Sequence, residues 1–292
     1  MKTFYPTEDE FKNPVLYIDD LLKNRNAAKW GCVKIVPPSS FKPGLAFDLE
    51  SKKTLPTRYQ VLQELSQGKA FKQNNKGYTF EQFAKLAKQL ETKELKATKD
   101  YVKLEEDYWN MVDNGKGEIT LVEYAADVPT AKYGSGFGRV GQKIVNEKQK
   151  EYENHPWNLN NLPTSYNSLM QFPRKHDISG INIPWLYVGM KYATFCWHYE
   201  DLMLPSINYS HYGAPKQWYS IPESDREKFE KAVKQKVNLL FKKDPNILLD
   251  IVVMVSPAYL KQQGVSASRP SPNSFNCRSR FTRRSSTQES TS

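Results

Sequence analysis

The sequence predicts an α+β fold, mainly β with flanking helices, on three observations. Apolar residues alternate with polar ones over short runs, at residues 32–36, 119–124 and repeatedly between 181 and 218. Only a few segments carry a helical stripe, and most of these open on a Ser or Thr with Glu or Gln three residues later. Aromatic residues make up 13% of the 292, far above the level of a mostly disordered chain, so a packed core is expected.

Residues 4–42 read as a small helix-plus-strand unit. Thr7 and Glu10 have capping-box spacing, Asn13-Pro14 marks a turn or helix start, and Val15, Ile18, Leu21 and Leu22 recur at helical spacing. The run 32–36 then fits a strand stopped by Pro37-Pro38. The unit is too small to stand alone. Residues 43–77 turn polar and read as a surface connector, partly disordered.

Thr79 and Gln82 open a helix with Phe80, Phe83, Ala87 and Leu90 on one stripe and Lys85, Lys88, Lys93 and Lys96 on the other faces. A basic solvated face is the expectation there, DNA contact the alternative. A second helix carries Leu104, Tyr108 and Met111 and stops at Asn114-Gly115. Short strands follow at 119–124, at 157–162 and from 181 to 218. Ser224 with Glu227 opens a helix that turns Phe229, Ala232, Val233, Val237 and Leu240 inward. Residues 266–292 hold nine Ser and five Arg and no Leu, Ile, Val or Gly, so disorder is expected.

Composition excludes several classes. The most apolar stretch, 247–260, is broken by Asp250 and too short for a bilayer. No secretory leader is evident in the first twelve residues, and an intracellular protein is expected. Three cysteines, at 32, 196 and 277, form no Cys-x-x-Cys pair and support neither a disulfide framework nor a zinc module. With 42 Lys+Arg against 32 Asp+Glu, the net charge of +10 favours an acidic partner, nucleic acid above all.

The chemistry concentrates after residue 194. His198 and Glu200 stand at i and i+2 in a strand-like run, so imidazole and carboxylate point the same way. With a second imidazole they would form the facial ligand set of non-haem Fe(II) oxygenases. By itself the pair is weak, and in a chain with four histidines a surface or core histidine accounts for it better. Ser206 and Asn208 repeat the i, i+2 spacing, and Lys216 follows beside Trp218. One cation, two hydrogen-bonding side chains and an aromatic wall would suit a small dicarboxylate. The run Gly134-Ser135-Gly136-Phe137-Gly138 lacks the Gly-Lys-Ser/Thr of a phosphate loop and is read as a flexible loop over the site.

In these motifs the sequence resembles the Jumonji JmjN/JmjC histone lysine demethylases. Residues 4–42, with Phe4-Tyr5-Pro6-Thr7, resemble the JmjN element. Residues 78–265 resemble most of a JmjC domain through Glu123-Tyr124-Ala125-Ala126-Asp127, Gly134-Ser135-Gly136-Phe137, Trp157-Asn158-Leu159-Asn160, residues 184–190 and the block from His198 to Trp218. The wording is nearest the Jumonji/ARID-type subfamily. The resemblance implies a double-stranded β-helix of cupin-like jelly-roll type, with Fe(II) as metal and 2-oxoglutarate as co-substrate. It implies oxidative N-demethylation of methyl-lysine near the start of the histone H3 tail, in the nucleus, with histone tail and nucleosome as partners and DNA contact through the basic surface.

By the same resemblance, His198 and Glu200 ligate iron, Lys216 pairs with the distal carboxylate of 2-oxoglutarate, and Tyr124, Ser206 and Asn208 add hydrogen bonds. Phe195 and Trp218 wall the co-substrate, while Tyr187 and Asp127 stand on the substrate side. Glu123 and Asp201 are further acidic candidates for a basic tail. For Phe195 and Trp218, barrel core is the competing reading.

The resemblance also implies a second iron-ligating histidine on a later strand. The four histidines stand at 155, 176, 198 and 211, and none follows His211. After Val265 the family pattern gives way to the Ser/Arg segment, as a shifted frame or alternative exon would produce. The expectation is a JmjC domain lacking its last barrel strands, with unpaired edges. Two functions therefore compete: an active demethylase, or a catalytically silent chromatin- or partner-binding protein.

Overall fold

The computed structural model describes residues 1–43, 51–93, 100–115, 118–141, 147–172, 177–200, 204–244, 252–269 and 279–282. Its N-terminal unit forms for local reasons. Thr7 caps helix α1 (Glu8–Phe11): the Thr7 amide donates to Glu10 Oε2 at 2.7 Å, and the Glu10 amide to Thr7 Oγ1 at 3.2 Å. Asn13 caps α2 (Pro14–Lys23), with Pro14 in the first turn, where its missing N–H costs nothing. Strands β1 (Lys2–Phe4) and β2 (Cys32–Ile35) pair in parallel beside these helices.

What the unit buries is shared with the rest of the chain. Phe11 stacks on Trp157 at 4.5 Å and 8°, and the Trp157 indole N–H donates to the Phe11 carbonyl at 2.6 Å. Phe41 meets Tyr152 and Tyr209 edge-on at 5.3 and 5.8 Å. These residues, with Phe4, Leu21 and Phe137, make one buried cluster, so the first 43 residues are a docked layer.

A second sheet runs antiparallel in the order β4 (Lys72–Tyr78), β3 (Leu55–Val61), β5 (Leu121–Pro129), β6 (Trp185–Gly189). This corrects the expected polar connector, whose 55–61 segment is an internal strand. Leu55, Leu62 and Leu65 are buried, as are the polar Thr57 and Gln60. Gln60 explains why polarity misled: its amide donates to the Thr194 carbonyl at 2.5 Å and accepts from the Thr194 amide at 2.8 Å. Pro56 sits at a register shift between Leu55 and Thr57, where a ladder donor is not required.

Helix α3 (Phe80–Lys93) opens on the expected reciprocal cap, the Thr79 amide to Gln82 at 2.9 Å and the Gln82 amide to Thr79 Oγ1 at 3.2 Å. Lys85 is exposed and pairs with Glu81, while the Lys93 side chain and Lys96 lie outside the described residues. Helix α4 (Tyr101–Asn114) ends at Gly115 in the left-handed conformation, φ 58°, as the Asn-Gly signal predicts. Phe83, Leu90, Tyr108 and Val112 pack with Trp197, Phe229, Val233 and Val253 in the largest core.

Beyond β5, α5 (Thr130–Tyr133) and α6 (Glu147–Glu151) are single turns. Residues 157–162, expected as a strand, form turns instead. Asn158 is fully buried there, its amide donating to the carbonyls of Gly138 at 2.8 Å and Tyr152 at 3.0 Å, so the apolar residues surround a polar pin. The same pin corrects the flexible loop at 134–138. Phe137 is buried, Ser135 Oγ donates to the Phe137 carbonyl, and the Gly136 backbone lies so close to the His211 ring that a Cβ would meet it at 2.0 Å.

The Ser224–Glu227 cap is not formed. Helix α7 (Arg226–Lys236) starts from Asp225, whose carboxylate accepts from the Ser266 amide at 2.7 Å and from Lys228. Phe229, Ala232, Val233 and Val237 are inward as expected. Short helices α8 (Asn238–Lys243) and α9 (Pro257–Gln262) follow. Of the Ser/Arg segment expected to be disordered, only residues 266–269 and 279–282 are described, and the rest lies outside the described residues. Ser268 bridges to Ser220, and β8 (Ser279–Thr282) lies between β2 and β7 (Ser206–Tyr209), giving the sheet order β1-β2-β8-β7. A ladder uses backbone groups, so low apolar content does not preclude it. The inner edges of β2 and β7 are thereby paired, where unpaired edges were expected. The whole is α+β, as the sequence predicts.

Candidate functional site

The second sheet positions the first half of the site. Arg58 on β3, Tyr124 on β5 and Gly189 on β6 form one row across three strands. Residues opposite one another share a face, and Tyr187 lies two residues from Gly189 on that same face. Gly189 leaves room for the Tyr124 ring, which a Cβ there would meet at 3.3 Å. Tyr124 and Tyr187 then lie side by side, ring centres 6.2 Å apart.

Lys216 enters this corner from the segment after β7. Its Nζ donates to the Tyr124 hydroxyl at 3.2 Å and lies 5.6, 5.3 and 5.3 Å from the ring centres of Tyr124, Tyr187 and Phe195. Phe195 packs on Trp218 at 4.6 Å and edge-on to His198 at 5.8 Å. Five residues that the sequence singled out, Tyr124, Tyr187, Phe195, Lys216 and Trp218, are thus joined by contact, with His198 at the border. An ammonium held among π-faces and one phenol suits an anion whose apolar stem lies along the rings.

His198 and Glu200 point the same way, Nε2 to Oε1 3.9 Å, with side chains 16% and 25% exposed. The strand expected to carry them is not formed: residues 193–200 belong to neither described sheet, and the Trp197 amide donates to the Val253 carbonyl at 3.1 Å. His198 Nδ1 lies 2.7 Å from the Cys196 carbonyl, which fixes the ring and leaves Nε2 to face Glu200. Trp197 anchors the segment through its indole N–H to the Val255 carbonyl at 2.9 Å. The expected strand at Lys216–Trp218 is likewise irregular, apart from the bridge at Ser220.

Burial sets the protonation states. The phenols of Tyr124 and Tyr187 are pushed well above the ordinary tyrosine value, so both stay neutral donors. The Cys196 thiol is raised to about 12 and is inert.

Ser206 and Asn208 on β7 project opposite to Ile207 and Tyr209, which pack on the N-terminal cluster. Asp127 is already engaged, its Oδ2 accepting from Arg58 Nη1 at 3.0 Å, so the expected substrate-side acid is an ion-pair partner of the sheet. Glu123 is corrected as a tail-binding candidate: it is 4% exposed and accepts from Asn74 at 3.1 Å and Tyr78 at 3.0 Å. Asp201 lies outside the described residues. Arg58 is the residue that sequence reasoning missed, because it stands in the supposed connector; the alternation of Leu55, Thr57, Tyr59 and Val61 was the available signal.

The ligand set tests the implied metal. His198 and Glu200 supply two donors, but among the described residues no group of three His, Cys, Asp or Glu side chains converges. The described residues therefore do not complete a facial iron site. They do fit a dicarboxylate, through Lys216 and its rings.

The comparisons with known proteins agree with the motifs. A JmjN domain model matches residues 2–37, and a model described as JmjC domain, hydroxylase, matches residues 185–270. The chain is 32% identical over 313 residues to Lysine-specific demethylase JMJ703 of Oryza sativa subsp. japonica, covering 91% of this chain and 25% of the relative. Against Putative lysine-specific demethylase JMJ16 of Arabidopsis thaliana it is 30% identical, covering 91% and 27%. Over a shorter span it is 39% identical to Lysine-specific demethylase 5B of Gallus gallus, covering 57% and 11%. Fold and motifs together define a JmjC-type, cupin-like domain with a docked N-terminal element. The chain belongs to the Jumonji family, and it spans about a quarter of the length of the first two relatives.

Proposed function

We propose that this chain is the JmjN/JmjC region of a nuclear histone lysine demethylase, with 2-oxoglutarate held at Lys216 and methyl-lysine of the histone H3 tail as substrate. The observation that carries the reading is the Lys216 ammonium, 3.2 Å from the Tyr124 hydroxyl and faced by the rings of Tyr124, Tyr187 and Phe195, one residue's contact from His198. The names of the relatives, lysine-specific demethylases or a putative one, support the reaction class. In such a site the lysine neutralises the far carboxylate of the co-substrate, Tyr124 donates to it, and Phe195 and Trp218 exclude water around its methylenes. His198 and Glu200 are two of the iron donors that the family requires, and turnover needs a third from outside the described residues.

A second reading follows from that count of donors: the chain binds the dicarboxylate and chromatin without turnover. The +10 net charge suits contact with nucleosomal DNA in both readings. The experiment is to incubate the protein with Fe(II), 2-oxoglutarate and a methylated H3-tail peptide, and to measure succinate and formaldehyde. Both products, lost in His198→Ala, establish the demethylase; saturable binding of 2-oxoglutarate with neither product establishes the second reading.

A further inference from the structure

We propose that Arg58 is a positioning residue for the Lys216 site, acting through Asp127 and Tyr187 across the β3–β5–β6 sheet. The inference rests on the dicarboxylate reading of that site. Three features of geometry carry it. Arg58 stands opposite Tyr124 in the β3–β5 register, yet its guanidinium reaches along β5 to Asp127, Nη1 to Oδ2 3.0 Å. Asp127 adopts φ +56°, in the left-handed region that Asp tolerates but does not favour.

It does so because β5 bulges there: between the pairs Ala125–Val188 and Val128–Leu186, both Ala126 and Asp127 face the single residue Tyr187. Bulges re-aim side chains, and a left-handed residue within one persists only when its surroundings hold it. Arg58 supplies that hold. Across the bulge, the Asp127 carboxylate is near enough to the Tyr187 hydroxyl to add, after burial, to the rise of its pKa.

Tyr187 is the last link. Its ring lies 5.3 Å from Lys216 Nζ and 6.2 Å from the ring of Tyr124, so its tilt sets one wall of the anion pocket. At 43% and 32% side-chain exposure the Arg58–Asp127 pair is wet, and screening leaves it little effect on folding. Its role is orientation. Loss of the guanidinium frees Asp127 to leave the bulge geometry and Tyr187 to rotate off Lys216.

The test uses the full chain with tyrosine rings labelled with carbon-13, the Tyr187 resonance being assigned by Tyr187→Phe. Arg58→Met should shift the Tyr187 signal, leave those of exposed Tyr5 and Tyr166 in place, and weaken 2-oxoglutarate binding by about three- to tenfold, the worth of one hydrogen bond. Arg58→Lys, which keeps a cation opposite Asp127, should restore both. Asp127→Asn breaks the chain from its other end and should reproduce Arg58→Met. An unshifted Tyr187 signal in Arg58→Met and Asp127→Asn overturns the proposal, and so does unchanged affinity. Should the parent protein not bind 2-oxoglutarate, the co-substrate reading fails, and the Tyr187 signal still decides the role of Arg58.

Discussion

At the scale of single residues the site depends on a cation kept close to aromatic rings. Lys216→Met keeps the length of the stem and removes the ammonium, so 2-oxoglutarate affinity should fall by at least about a hundredfold, as expected for a charge-assisted contact in a partly dry pocket. Tyr124→Phe removes one neutral donor and should cost about two- to tenfold. Calorimetric titration of both variants checks the order. A Tyr124→Phe loss as large as that of Lys216→Met would mean that the phenol, not the ammonium, holds the anion.

Histidine 211 gives the acid response. Burial against Gly136, Phe137 and Tyr209 lowers its pKa from 6.5 to about 3, and burial lowers His155 as well. The unfolded chain takes up the His211 proton near pH 6.5, whereas the folded chain resists it down to about 3. Stability is therefore full above about pH 6.5 and falls on acidification towards pH 3, by up to about 1.4 kcal/mol per pH unit for this one group. Denaturant melts of His211→Phe between pH 7 and 5 should show a shallower slope than the parent; an identical slope would place the His211 ring in water.

At the scale of elements, local signals and long-range pairing behaved differently. The Thr7–Glu10 and Thr79–Gln82 caps were legible because a cap is a matter of four consecutive residues. Thr7→Ala should accordingly cost about 1 kcal/mol in thermal or urea unfolding. Strand β3 was missed despite the alternation of Leu55, Thr57, Tyr59 and Val61, because Gln60 is a buried polar residue satisfied by a group distant in sequence, and Pro56 sits at an irregularity that only the paired strand defines. The turns at 157–162 misled in the opposite sense, with apolar residues packed around the buried amide of Asn158.

The candidate site was legible in part. Tyr124, Tyr187, Phe195, Lys216 and Trp218 were found by motif and meet in space, as does the His198–Glu200 pair. Arg58 was missed with the strand that carries it, and the left-handed Asp127 was hidden, since a bulge that opposes two residues to one has no short-range signature.

At the scale of the whole molecule, the N-terminal layer and the domain behind it share one aromatic cluster. Trp157 touches Phe11 by stacking and by hydrogen bond, so Trp157→Ala removes a core ring and a donor together and should destabilise by about 3–5 kcal/mol. Differential scanning calorimetry should show a single transition in the parent, shifted down in the variant. Two transitions in the parent would show that the N-terminal layer folds as a separate unit.

Isothermal titration of 2-oxoglutarate into the full chain and into Lys216→Met tests whether Lys216 and its rings bind the co-substrate. One saturable site is expected in the parent and none in the variant at the same concentrations. Equal binding by the two proteins, or no binding by a parent that melts cooperatively, would contradict it.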